Sequence, residues 1–191
     1  EISNKLVPFD YEEFNKSKQR FVAVATNCIT GDSEYFEKNI CSDIFLATQA
    51  SSSMPLASSI VKINGIPYLD GAVSVPVPVK WAIEQGYEKI IVVLTRDMNY
   101  KKTNITNKLK FLYSFAYRKY PNLINKLYTM SERYNELKKD IDNMNNIFLI
   151  RPQKEVTVSR LEKDKEKLKT LYKQATEQTS LYIPKIKEYL D

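Results

Sequence analysis

Asn64-Gly65 stands between two short β-branched runs, "SIVKI" and "IPYLD", and it constrains the fold of this 191-residue chain more than any other feature. Asn and Gly tolerate positive φ at both central positions of a two-residue turn, so the flanking runs should fold back on each other as an antiparallel hairpin. Upstream, "RFVAVATNCI" (20–29) reads as a buried strand, and "TGDSEYF" as a turn into a short return strand. Ser42 and Asp43 can start a helix, "SDIFLATQAS", which must end before "SSSMP" because the residue before a proline is pushed out of the α region. Beyond the hairpin, Pro76 and Pro78 suit a helix's first turn, "VKWAIEQG" continues it, and Gly86 is the stop signal. "EKIIVVLTR" is unbroken and apolar, as expected of a strand with both faces covered by helices. Elements in this order predict a mixed α/β fold.

From about residue 103 the character changes. "NKLKFLYSFAYRKY" and "PNLINKLYTMSERYNELKKDIDNM" read as two long helices separated near Pro121. Apolar side chains at 123, 127, 130, 134, 137, 141 and 144 form one narrow seam, spaced alternately by four and three. "NIFLIRP" is a last strand and "EKDKEKLKTLYKQATEQ" a last amphipathic helix, which Pro184 should kink or end. The domain organisation expected is an α/β core over 1–100 and a helical extension over 101–191 with one returning strand at 147–151.

Composition excludes several chemistries. The chain has no histidine, so no Ser-His-Asp or Cys-His mechanism can be completed within it, and no imidazole can hold zinc. Two cysteines make no disulfide framework and fit a reducing, cytoplasmic compartment. Cys28 reads as a small core residue; Cys41, just before a helix, is placed for a lowered pKa but reads as structural. No apolar run approaches the ~20 residues of a membrane helix. The net charge of +6 permits an anionic partner, although 23 acidic residues interspersed with 29 basic ones read more as a mixed solvated surface.

The chemistry-bearing candidates each carry a plain structural alternative. Asp70-Gly71 is a tight turn in which Asp bonds its own backbone and Gly supplies positive φ, or it is a carboxylate exposed at a strand end, able to take a serine proton directly. Ser51, Ser52 and Ser53 sit where small polar residues satisfy the carbonyls of a helix end, and no G-x-S-x-G elbow is present. "SIVK" has the S-x-x-K spacing, but in a strand residues three apart face opposite ways. "DIDNMNN" fails as a calcium loop, since Arg151 stands where the closing Glu belongs. Residues 101–139 interleave basic and aromatic side chains, which reads as an amphipathic helical pair, with an anionic lipid surface or a single-stranded nucleic-acid platform as alternatives.

Taken together, "FVAVATNCITGDSEYF", "SDIFLATQASSSMP" and "VKINGIPYLDGAVSVPVPVKWAIEQGYEKIIVVLTR" resemble the later half of bacterial patatin-like phospholipases. The resemblance continues through "YRKYP", "RYN" and "IRPQKEVTVSRLEKDKEKLKTLY". It implies a portion of a three-layer α/β/α sandwich that hydrolyses lipid or other esters through a Ser-Asp dyad, with no cofactor and no metal. Asp70 matches the dyad aspartate of the D-G-A motif, acting as general base, and Gly71 its glycine. By the same resemblance Ala50, Ser51, Ser52 and Pro55 help seat the acyl chain. The nucleophile elbow and the glycine-rich oxyanion loop of that family lie earlier in the protein and are absent here, so the chain is expected to be inactive alone. Val75 stands where relatives often carry Asp, and Ala175 where Gly is expected. The expected partners are an ester substrate and a peripheral membrane contact, with no nucleic acid. An uncovered apolar face would make the isolated chain a homo-oligomer or swapped dimer. The alternative is a non-catalytic membrane- or protein-binding module.

Overall fold

The computed structural model describes residues 7–159 and 162–191. The first six residues of the expected 1–100 core, and Arg160 and Leu161 of the expected helical part, lie outside the described residues. The fold is mixed α/β, with a four-stranded antiparallel sheet, a two-stranded parallel sheet and a long C-terminal helix. The chain divides into two compact units, one running to Ser74 and taking in Tyr120–Leu123, the other made of Val75–Lys119 and Ile124–Asp191.

The first unit is built on the hairpin. Strands β1 (Val22–Asn27), β2 (Ser33–Glu37), β3 (Val61–Ile63) and β4 (Ile66–Asp70) lie in the order β2-β1-β4-β3, every neighbour antiparallel. Asn64 and Gly65 both take positive φ, 51° and 81°, as a two-residue turn of this type requires. Helix α1 (Tyr11–Lys16) precedes the sheet, and its last carbonyls are held by Lys38, whose buried Nζ donates to Phe14 O at 2.8 Å and Ser17 O at 2.6 Å. Helix α2 (Ile44–Ser51) is capped by Asp43, whose carboxylate accepts from Leu46 N at 2.9 Å. Ile44, Ala47 and Ala50 face the sheet and pack with Ala23, Ala25, Val61, Ile63 and Tyr68. Four alanines in that layer, Ala23 and Ala25 on β1 and Ala47 and Ala50 on α2, let helix and strand approach closely.

In the second unit, α3 (Val79–Glu84) begins after both prolines expected in its first turn. Pro78 is its N-cap, Pro76 lies outside it, and Gly86 ends it with φ 81°. Strands β5 (Ile90–Val93) and β6 (Ile147–Ile150) pair in parallel, apart from the antiparallel sheet. Full coverage of β5 does not hold. Ile90 and Val92 are buried among Val79 and Ile141, whereas Ile91 is 38% and Val93 67% exposed. The unbroken apolar run reports composition; only the alternate residues find a covered face.

Helices α4 (Asn107–Ala116) and α5 (Pro121–Asp142) separate at Pro121 as expected, and Leu123, Leu127 and Ile141 of the seam are buried. Helix α6 (Lys165–Leu190) continues past Pro184 instead of ending there. Its Tyr189 hydroxyl accepts from Ile90 N at 2.8 Å and donates to Asn146 O at 2.9 Å, which fastens the last turn to β5 and the entry to β6. No helix among the described residues is long and apolar enough to cross a membrane.

Candidate active site

Asp70 is the last residue of β4, and three main-chain anchors fix it. Its N–H donates to Ser53 O at 2.9 Å, its carbonyl accepts from Thr26 Oγ1 at 2.8 Å, and it lies opposite Ala25 of β1. The half-buried side chain turns forward, where Oδ1 accepts from Ala72 N at 2.8 Å and caps the single 3-10 turn Gly71–Val73. This is the Asx turn expected of Asp-Gly, and the same bond orients the carboxylate.

The glycine is needed for a different reason from the one expected. Gly71 is not among the positive-φ residues. A Cβ built on it would overlap the Val24 carbonyl oxygen and lie 2.8 Å from that carbonyl's carbon. The turn after β4 crosses so close to β1 that only a hydrogen fits. Glycine here allows close approach, and the result is a carboxylate with no neighbouring side chain on the next residue.

Thr26 and Ser74 complete the cluster, and sequence reasoning did not single them out. Thr26 Oγ1 lies 2.8 Å from Ser74 Oγ and accepts from Ser74 N at 3.1 Å, while Ser74 Oγ lies 3.3 Å from Gly71 O. Both residues are buried and spend their hydroxyls on the turn's own backbone. The signal available was a Thr at the end of an otherwise apolar strand, since a buried hydroxyl needs partners that only a close turn supplies. One register step further on, Asn27 Nδ2 donates to Glu34 Oε1 and Tyr68 OH to Glu34 Oε2, each at 2.6 Å. Burial, reinforced by the bond to Glu34, raises the Tyr68 phenol well above its usual range and keeps it a neutral donor.

The other sequence-predicted residues lie in the segment whose Ser53 carbonyl anchors Asp70, and they differ in exposure. Ala50 is fully buried in the core of the first unit, and Ser51 and Pro55 are half-buried. Ser52 lines an open groove of about 490 Å³ with Gln49, Ser53, Ser59 and Lys62, a mostly polar set. Ser52 Oγ and Ser53 Oγ both donate to carbonyls of the last turn of α2, at 3.1 and 2.8 Å to Gln49 O. The helix-end role expected of these serines is the one they play. A second cavity, of about 480 Å³, opens beyond the C-terminal ends of β5 and β6; Val93, Ile150, Pro152, Leu171 and Leu181 give it apolar walls, and Arg151, Lys154, Glu155 and Glu177 line it with charge. Its apolar walls can receive hydrocarbon, and the ends of parallel strands are where open α/β sheets bind ligands.

Neither thiol is activated. Burial pushes the Cys28 thiol up to about 12, and burial likewise raises Cys41, against the lowered pKa that its place before a helix predicted. Among the described residues no group of His, Cys, Asp or Glu is placed to hold a metal ion. Residues 120–191, which carry α5, β6 and α6, match the family model described as Domain of unknown function (DUF6363).

Proposed function

We propose that this chain is the C-terminal portion of a patatin-like lipid acyl hydrolase, a serine esterase or phospholipase in which Asp70 is the general base of a Ser-Asp dyad. The observation that carries the reading is the setting of Asp70: a half-buried carboxylate at a strand end, held through Oδ1 by Ala72 N–H, beside a glycine that cannot be replaced without collision. The domain matched at 120–191 is typically found C-terminal to patatin domains, which supports the same reading.

In this mechanism a serine hydroxyl from outside these 191 residues attacks the ester carbonyl as its proton passes to the Asp70 carboxylate. The tetrahedral oxyanion is held by donors that also lie outside this chain. On collapse the acyl C–O bond breaks and Asp70 returns the proton to the leaving alcohol. Water then repeats the sequence on the acyl-serine, giving up a proton to Asp70, which restores it to the serine oxygen. No histidine is needed, in keeping with a chain that has none.

The complete product of the gene, treated with a fluorophosphonate serine probe, should label, and Asp70→Asn should abolish labelling. No labelling of the folded complete protein would overturn the hydrolase reading. The alternative of a non-catalytic binding module would then stand on the exposed face of α4.

A further inference from the structure

Helix α4 carries apolar side chains on both faces. Leu109, Tyr113 and Tyr117 recur at steps of four and turn inward, Tyr113 being 7% and Tyr117 5% exposed. On the other side Phe111 and Phe115, one turn apart, are 70% and 66% exposed, with Leu112 between them at 41%. A helix packed on a core needs one apolar face, so the second calls for a partner. The ledge is firmly built: Tyr128 OH bonds Ser114 Oγ at 2.5 Å and Lys110 O at 3.1 Å, tying α4 to α5.

The surrounding charge identifies the partner. Between Met98 and Lys119 there are six Lys and Arg residues and no Asp or Glu. Lys108, Lys110, Arg118 and Lys119 enter no ion pair among the described residues. Arg118 lies over the Phe115 ring, 5.8 Å from its centroid, so cation and aromatic occupy one surface. We propose that this face of α4 docks on an anionic phospholipid surface, with Phe111, Leu112 and Phe115 entering the headgroup–acyl boundary and the flanking Lys and Arg meeting lipid phosphates. Long basic side chains beside buried rings can extend back to the headgroups. A base-stacking platform is the less fitting occupant, because Leu112 offers no ring to a base while hydrocarbon accepts all three side chains.

This proposal does not rest on the hydrolase reading; a chain that binds lipid and catalyses nothing would satisfy it. The test is sedimentation of the complete gene product with phosphatidylcholine vesicles and with equimolar phosphatidylcholine–phosphatidylglycerol vesicles. Binding to the anionic vesicles should exceed binding to the neutral ones at least about tenfold and weaken as salt is raised. Phe111→Ser/Phe115→Ser should lower anionic-vesicle binding about tenfold or more at low salt. Lys108→Gln/Lys119→Gln should lower it by a similar factor. Both pairs are exposed, so unchanged circular dichroism melting is expected alongside. Equal binding to both vesicles, or no binding, overturns the proposal. So does a phenylalanine pair variant that binds as well as wild type, or displacement of vesicles by a single-stranded oligonucleotide at lower charge equivalence.

Discussion

Replacing Gly71 by Ala adds one methyl group where the turn after β4 meets β1. The new Cβ would overlap the Val24 carbonyl oxygen and stand 3.2 Å from the Val24 Cβ. That carbonyl belongs to β1, where Val24 is held opposite Tyr35 of β2 and the next residue, Ala25, is held opposite Asp70 of β4, so it has little freedom to withdraw. Relief must come from shifting the turn, which stretches the Thr26 Oγ1 bonds to Asp70 O and Ser74. The cost should be about 3 kcal/mol, near the top of the usual range for overpacking. In a protein of this size that lowers the melting temperature by about 6–12 °C. Gly65→Ala is the control: nothing lies within 4 Å of an added Cβ, and only the φ of 81° opposes it, costing about 1–2 kcal/mol. Thermal melts by circular dichroism, with amide exchange read at β1 and β4, give both values. A Gly71→Ala loss no larger than that of Gly65→Ala would refute close approach as the reason for this glycine.

Two further substitutions test the surrounding structure. Thr26→Val keeps the shape but removes the hydroxyl that joins Asp70 O and Ser74, and should cost about 1–3 kcal/mol in chemical denaturation; a loss below about 0.5 kcal/mol would show the cluster to be idle. Burial pushes the Asp142 carboxyl up, but hydrogen bonds from Arg151 and Lys138 outweigh it and hold the group below its usual value. A depressed carboxylate stabilises the fold above its unfolded pKa and loses that stabilisation as pH falls through the folded one. The stability gap between wild type and Asp142→Asn should therefore be full near neutral pH and shrink below about pH 4, and a gap independent of pH would contradict it.

Two halves of the antiparallel sheet were legible because their signals are local: Asn64-Gly65 fixes the β3–β4 hairpin, "TGDSEYF" returns β2 onto β1, and Asp43 caps α2, whereas the long-range pairing of β1 with β4 that joins them was not. What escaped the sequence depends on how close elements come to one another. Glycine after Asp70 is equally compatible with positive φ and with a crossing strand, and only the position of Val24 decides. Ile91 and Val93 belong to an apolar run whose two faces meet different surroundings. Pro184 stays within α6 despite its missing donor, since the fastening of Tyr189 to Ile90 and Asn146 holds the last turns in place. In α4 the interleaved aromatics divide cleanly, tyrosines inward and phenylalanines outward, a split that composition alone does not reveal. For the candidate site, Asp70 was legible by its turn and by resemblance, whereas Thr26 and Ser74 are brought to it only by folding.

Whether the Asp70 carboxylate acts as a base is tested most directly by the hydrolysis of a long-chain acyl ester by the complete gene product, wild type against Asp70→Asn, with both melting temperatures measured. Asparagine can still accept from Ala72 N–H, so the turn should survive while the proton acceptor is lost. The account predicts a fall in kcat of at least about a hundredfold, the lower end of what a general base contributes, with melting within a few degrees of wild type. A variant that melts normally and hydrolyses the ester at the wild-type rate would contradict it.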